Sequence, residues 1–159
     1  MDQLRALFEA LSFTRVSTLI ASGNVIFDAR ARAGAGLERK IERHLEQSLG
    51  FVVATFLRSP AELADIVGRE AFPASVVQRA HAHWIAFLKT PPTAEVRDRV
   101  TALACETDDF RVQGREVHWL RRVTSSESRI SGATLEKALG APMTARNITT
   151  VRKLAAMGS

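Results

Sequence analysis

The fold is decided by residues 37–57, LERKIERHLEQSLGFVVATFL. The first part of this stretch has an apolar residue at every fourth position: Leu37, Ile41, Leu45 and Leu49. This spacing predicts a helix, which Gly50 ends as a C-terminal cap. The last seven residues, Phe51 to Leu57, are almost all apolar. Such a run is typical of a strand in the middle of a sheet, where neighbouring strands cover both edges.

The residues before this stretch predict a helix and a hairpin. The helix covers roughly residues 2–11, where apolar side chains recur at helical spacing. Two strand-like runs follow, 16–21 and 24–28, and Ser22-Gly23 joins them in a turn that requires glycine's positive φ. The resulting order is helix, strand, strand, helix, strand. It predicts an α+β fold whose first subdomain is ferredoxin-like, a split β-α-β-β-α-β unit that lacks its first strand.

The missing strand would lie at the centre of this sheet. In that topology it separates the strand at Phe51–Leu57 from the second hairpin strand. Its absence leaves an unpaired, hydrophobic strand edge, which proteins usually avoid. We therefore expect either that the natural protein begins upstream of Met1 or that another chain supplies the strand. The second alternative predicts a homo-oligomer that forms through the unpaired sheet of the first subdomain.

The second half predicts a related α+β subdomain. Ser59-Pro60-Ala61-Glu62 has the pattern of a helix start with a capping box. A strand at about 84–88, a helix at about 94–104, two strands flanking Gln113-Gly114 and two short helices follow. The predicted domains are therefore 1–58 and 59–159, the second ending in a basic helix.

The hairpin around Gln113-Gly114 allows its strand pairing to be predicted. A two-residue turn pairs Phe110 with Val117 on a buried face. The same register places two polar pairs on the solvent face: Arg111 with Glu116, and Asp109 with His118. Asp109 and His118 could form an acid/base couple, but we prefer a surface ion pair that orders the hairpin.

The charge of the chain is unevenly placed. The formal net charge is +5, and residues 110–159 contain nine arginines and lysines against three acids. The remaining residues contain 13 cations and 14 acids. A basic C-terminal third suits phosphate, nucleic acid or an acidic partner, although a solvated cationic surface with no partner explains it equally well.

The segment 144–154 predicts a short helix that either holds an anion or is a stable amphipathic helix whose cations face water. At 100° per residue, Ile148, Val151 and Ala155 share an apolar stripe, while Arg146, Thr150 and Lys153 lie opposite. Thr144 is a suitable N-cap, so free backbone amides could help to hold an anion. The predicted ligand contacts are Arg146, Asn147, Thr150 and Lys153, supported by Arg121, Arg122 and Arg129.

Other chemistry finds little support in the sequence. The single cysteine, Cys105, excludes an internal disulfide, fits a reducing compartment and is interpreted as an inert core thiol. His81 and His83 share one face of a strand, but no other residues with ligand spacing accompany them. We therefore predict no metal site and no cofactor. No apolar run reaches the length of a membrane span, which predicts a soluble, cytoplasmic protein.

Four segments together resemble the bacterial family known as domain of unknown function 1697. They are Ser22-Gly23-Asn24-Val25-Ile26-Phe27, Gly114-Arg115-Glu116-Val117, Leu135-Glu136-Lys137-Ala138-Leu139-Gly140, and Thr144-Ala145-Arg146-Asn147 with Thr150-Val151-Arg152-Lys153-Leu154. The resemblance spans essentially the whole chain, and its last segment is the most specific. It implies two small α+β subdomains, the first ferredoxin-like, and no established activity or cofactor.

The chain departs from the family pattern at two places. Members usually begin with a strand and an Arg-Gly-Ile-Asn type turn ahead of the first helix, and Met1 follows both. The position after Asn147 is commonly aromatic in the family and is Ile148 here, which argues against a stacking role.

The sequence thus predicts a non-enzymatic binding module for a phosphorylated or polyanionic ligand on the basic C-terminal third. A phosphorylated small molecule and a nucleic acid both qualify as partners. Two other classes stay open: an enzyme acting on a small anionic metabolite, and a protein–protein interaction module that recruits a strand.

Overall fold

The computed structural model describes residues 2–19, 23–30, 34–124 and 126–157. In chain order the elements are α1 (Asp2–Glu9), β1 (Thr14–Leu19), β2 (Asn24–Asp28), α2 (Ala35–Leu49), α3 (Pro60–Gly68), α4 (Ala74–Gln78), β3 (Ala82–Phe87), α5 (Ala94–Thr101), β4 (Asp108–Gln113), β5 (Glu116–Arg121), α6 (Gly132–Leu139), β6 (Thr144–Asn147) and α7 (Ile148–Met157). Helices and antiparallel strands occur together in an α+β architecture with two small sheets, which confirms the predicted class.

The chain divides into two compact units. One contains Met1–Leu63 together with Leu154–Ser159, and the other contains Ala64–Lys153. Helix α3 carries the chain from the first unit to the second, and α7 carries it back. The predicted domains, 1–58 and 59–159, stay a prediction.

The first unit is built around α2 and a two-stranded sheet. Three apolar residues of α2 at the predicted spacing of four, Leu37, Ile41 and Leu45, are buried with apolar residues of α1 and β1. Gly50 has a φ of 83° and its N–H donates to Glu46 O at 2.9 Å, so the predicted helix and its cap are confirmed. In the predicted turn, Gly23 has a φ of 86°, while Ser22 lies outside the described residues.

The strand predicted at Phe51–Leu57 is wrong. Residues 51–59 form neither helix nor strand, and Phe51 and Val52 are 60% and 74% exposed. A strand needs a neighbouring backbone to pair with. Carboxylates of α2 take that place here: Glu42 Oε2 accepts from Thr55 N at 2.9 Å, and Glu38 Oε2 accepts from Leu57 N at 2.7 Å. Among the described residues of this unit, only β1 and β2 pair into a sheet.

The predicted capping box opens α3. Glu62 N donates to Ser59 Oγ at 3.2 Å, and Ser59 N donates to Glu62 Oε1 at 3.0 Å. These reciprocal bonds satisfy two backbone donors that the first helical turn leaves without an acceptor.

The second unit has a four-stranded sheet in the order β4-β5-β3-β6, and every neighbouring pair is antiparallel. With α5 between β3 and β4, and α6 between β5 and β6, this is the split β-α-β-β-α-β arrangement. Leu135 and Leu139 of α6 and Val100 of α5 pack on one face of the sheet around Phe110 and Val117. This face holds the core of the unit.

The hairpin β4–β5 turns one residue later than predicted. Gln113 pairs with Glu116, so the turn consists of Gly114 and Arg115, and Gly114 takes the positive φ of 58° as the first turn residue. The predicted pairs are therefore wrong, although the side chains keep their predicted faces because the register changes by an even number. The face expected to meet solvent is buried: Glu116 is 3% exposed and His118 1%.

Residues 144–147 form the edge strand β6 and not the start of a helix. In this strand Arg146 pairs with Ile85 and Thr144 pairs with Phe87. Helix α7 begins at Ile148, and Asn147 Oδ1 accepts from Thr149 N at 2.9 Å. Asn147 therefore caps α7 in place of the predicted Thr144.

Candidate functional site

The predicted anion site is divided between the two faces of the β4-β5-β3-β6 sheet. Arg121 is directly opposite Ala82 and Asp108, whereas Arg146 is opposite Ile85, which is opposite His118. Paired side chains share a face and successive side chains alternate. Arg121 and Arg146 therefore project from opposite faces and cannot hold the same small anion.

Arg121 belongs to a buried network around Asp108. The Asp108 carboxylate accepts from Trp119 Nε1 at 2.8 Å, Ser128 Oγ at 2.7 Å and Thr107 Oγ1 at 2.6 Å, and lies 3.5 Å from Arg121 Nε. Burial alone would raise the pKa of Asp108, but these hydrogen bonds and the Arg121 charge outweigh it and lower the pKa. The hydrogen bond from Ser128 attaches the serine-rich segment after β5, residues 126–128, to the sheet.

Arg146 is half-buried on the other face. Two of its hydrogen bonds go from Nη1 to Thr144 Oγ1 at 2.6 Å and to Ala145 O at 2.9 Å. Burial lowers the pKa of this guanidinium, because water that would solvate the charge is excluded.

The other predicted contacts lie at or near the surface. Arg122 Nη2 is 3.6 Å from Asp109 Oδ2, which partly neutralises it. Arg129 is exposed after the serine-rich segment. Thr150 and Lys153 both belong to α7, where Thr150 is half-buried and Lys153 exposed. Asp109 also binds Arg111 at 2.9 Å and is opposite Leu120, so it forms no couple with His118.

His118, which is buried, and His83, which is half-buried, lie side by side in the second unit. His83 Nε2 lies 3.3 Å from His118 Nδ1, and the Phe72 ring meets His83 edge-on at 5.8 Å. Burial, with His83 and Arg69 nearby, lowers the pKa of His118 to about 4, and burial with Arg152 lowers that of His83. Both imidazoles are therefore neutral at pH 7.

The histidine pair leaves two nitrogens without partners. His83 Nδ1 and His118 Nε2 are buried and make no hydrogen bond to any described residue. Because one N–H is shared between two neutral rings, one outer nitrogen is a donor and the other an acceptor, whichever tautomers are present. The sequence analysis missed this pair because it did not predict that the strand with His83 pairs with the strand with His118.

The described residues also bear on metal binding and on the chemistry of the cysteine. No group of three or more His, Cys, Asp or Glu side chains that could hold a metal ion occurs in the described ranges. Cys105 is half-buried and not a core residue as expected; its Sγ lies 3.3 Å from Thr107 Oγ1, a contact that lowers the thiol pKa.

A second basic surface lies on α2, and the sequence analysis did not single it out. We call it the α2 basic stripe: the exposed side chains Arg39, Lys40 and Arg43, which line an open depression of about 330 Å³. The signal was present in the sequence as cations at helical spacing opposite the apolar residues. It was obscured because three acids on the same helix bring the net charge to zero.

Comparisons with known proteins agree with the fold. A family model described as a protein of unknown function (DUF1697) matches residues 1–118. The solved structure of a conserved bacterial protein, SP0830 from Streptococcus pneumoniae, is similar with a TM-score of 0.72 at 22% identity, covering 99% of this chain and 88% of that one. At this identity the similarity concerns the fold alone. No curated protein matches the chain.

Within the described residues, every helix is too short or too polar to cross a bilayer.

Proposed function

This chain belongs to the DUF1697 family, and we propose that it is a non-enzymatic binding module for a phosphorylated or polyanionic ligand on its basic C-terminal third. The proposal includes a cytoplasmic location, with which the free Cys105 is consistent.

The supporting observation is a set of exposed cations that form no ion pair with the described residues. Its members are Arg129, Lys137, Arg152 and Lys153. Exposed cations without carboxylate partners attract anions over about one Debye length, roughly 8 Å at physiological ionic strength. Arg146 and Asn147 are the last two residues of β6, and Thr150 and Lys153 lie on α7, which follows directly. We propose these four as the ligand contacts.

Two of the predicted supporting arginines take other roles. Arg121 is buried against Asp108 and Trp119, so we assign it to the stability of the fold. Arg122 contributes only part of its charge, because Asp109 lies beside it.

Salt dependence tests this proposal. Binding to a single-stranded nucleic-acid pool should weaken steeply as salt rises, and Arg129→Gln with Lys153→Gln should reduce the slope of log affinity against log salt by about 0.7 for each lost phosphate contact. Fluorescence anisotropy measures both quantities. An affinity that does not depend on salt, or a slope of log affinity against log salt that is unchanged in the double variant, would count against this site.

One observation favours a second candidate function, a protein–protein module. Phe51 and Val52 are adjacent, apolar and largely exposed in the segment that forms no strand. A homo-oligomer through this region would bury both side chains. Concentration-dependent mass by analytical ultracentrifugation, lost in Phe51→Ser with Val52→Ser, would support it, and a constant monomer mass would exclude it.

A further inference from the structure

We propose that the α2 basic stripe is a binding site for a small phosphorylated molecule. Arg39, Lys40, Arg43, His44 and Gln47 line the depression of about 330 Å³, and none of the described residues that line it is acidic. The site lies wholly in the first unit and uses none of the C-terminal residues discussed above.

The cations of the stripe have no internal role. Arg39, Lys40 and Arg43 form no hydrogen bond or ion pair through their side chains with any described residue, and all three are exposed. Arg39 and Arg43 are four residues apart, a spacing at which like charges destabilise a helix. A bound anion would remove this repulsion and satisfy the donors at once.

The acids of α2 do not neutralise the stripe. Glu38 and Glu42 are turned to the backbone amides of Leu57 and Thr55, which fixes their carboxylates on another side of the helix. Glu46 is exposed and forms no ion pair within the described ranges. The helix therefore separates its charges although its net charge is zero.

Two further features of the depression point to a polar ligand. His44 Nε2 is buried in its wall and has no hydrogen-bond partner among the described residues. Buried polar atoms are nearly always satisfied, so this nitrogen requires a partner atom that the described residues do not provide. Gly36 lines the depression in the first turn of α2, and the N-cap residue Gly34 provides no side-chain cap for that turn.

The hydrogen-bond donors that line the depression favour phosphate as the ligand. Guanidinium groups bind phosphate oxygens through paired hydrogen bonds, and the lysine ammonium adds a compact charge. The volume is at the lower end of small-molecule sites, which run from about 300 to 1,000 Å³. The site therefore suits a small molecule with one or two phosphate groups, whose remaining polar atoms can reach Gln47.

Calorimetric titration with inorganic pyrophosphate at constant ionic strength tests the site. Wild-type protein should bind, and Arg39→Gln with Arg43→Gln should weaken the affinity by at least about tenfold, because two charge-assisted phosphate contacts are lost. The matched control is Arg79→Gln with Arg97→Gln, which removes the same charge from exposed positions outside the depression. Its affinity should stay within about twofold of wild type, since long-range charge effects are screened by salt.

A second measurement uses the unmodified protein. Pyrophosphate should shift the ring resonances of His44 in NMR spectra and leave those of the exposed His81 unchanged. Absence of binding by folded wild-type protein, equal weakening in the two double variants, or equal shifts of the two histidines would each overturn the site. The proposed function of the C-terminal third would survive these results, because its test uses other residues.

Discussion

The two basic regions of this chain differ in how many of their cations lie beside carboxylates. The C-terminal third has nine cations against three acids, yet Arg121 is buried beside Asp108, and Arg111 and Arg122 both lie close to Asp109. Helix α2 has equal numbers of cations and acids, yet the α2 basic stripe has no partners among the described residues.

This difference shows that net charge along a sequence does not predict a charged surface. In the C-terminal third, strand pairing brings arginines beside buried or half-buried carboxylates. On α2, two acids bind a neighbouring segment through its amides, which leaves the cations alone on the exposed side. The position of the acids decides which cations stay available for a ligand.

The largest effect should come from the buried arginine of the C-terminal third. Arg121→Ala leaves the Asp108 charge buried without its cation and should lower the free energy of unfolding by about 3–5 kcal/mol. Arg122→Ala, at the adjacent exposed position, should cost less than about 1 kcal/mol. Urea denaturation measures both, and equal losses would break the distinction between buried and surface cations in this region.

The second effect concerns His118, which is buried on the other face of the same sheet. The pKa of His118 is lowered from 6.5 to about 4 in the folded protein. Between these values the unfolded chain binds a proton that the folded chain excludes, so stability falls as pH falls, by at most about 3 kcal/mol. Urea denaturation from pH 7 to pH 4 should show this fall. It should shrink in His118→Asn, and an unchanged pH profile in that variant would assign the fall to other groups.

A smaller effect should distinguish the acids of α2 from one another. Glu38→Gln keeps an acceptor for Leu57 N but removes the charge from a buried hydrogen bond, which should cost about 1 kcal/mol. Glu46→Gln makes the same change at an exposed position of the same helix and should cost nearly nothing. If both variants lose equal stability in thermal denaturation, helix charge and not the Leu57 contact is responsible.

The smallest effect should be a gain in the stability of the protein. Arg39→Gln with Arg43→Gln removes like-charge repulsion at a spacing of four residues and should stabilise the ligand-free protein by about 0.2–0.5 kcal/mol. The gain should disappear in high salt, which screens exposed charges. A loss of more than about 1 kcal/mol would mean that these arginines support the fold and are not held for a ligand.

Features set by neighbouring residues were predictable from the sequence. The spacing of four from Leu37 to Leu49, the Gly50 cap and the Ser59–Glu62 capping box each depend on contacts within one or two helical turns. Together with the strand patterns, they were sufficient for the α+β class.

Features set by distant partners were not predictable. Residues 51–57 look like a strand in composition, but no described backbone pairs with them. Thr144–Asn147 has helix-compatible spacing and becomes a strand because the edge of β3 is available. The hairpin register depended on which turn position Gly114 occupies, and that choice decided whether His118 is opposite Asp109 or Arg111. The contact of His118 with His83 depends on the separate pairing of β3 with β5.

The return of α7 to the first unit has a consequence for synthesis on the ribosome. Residues Ala64–Lys153 are contiguous, whereas the unit that begins at the N-terminus also includes residues from Leu154 onward. Domains generally fold in the order in which they emerge. In this chain the unit that is translated first is completed last. Its last segment is made only after the whole of the second unit.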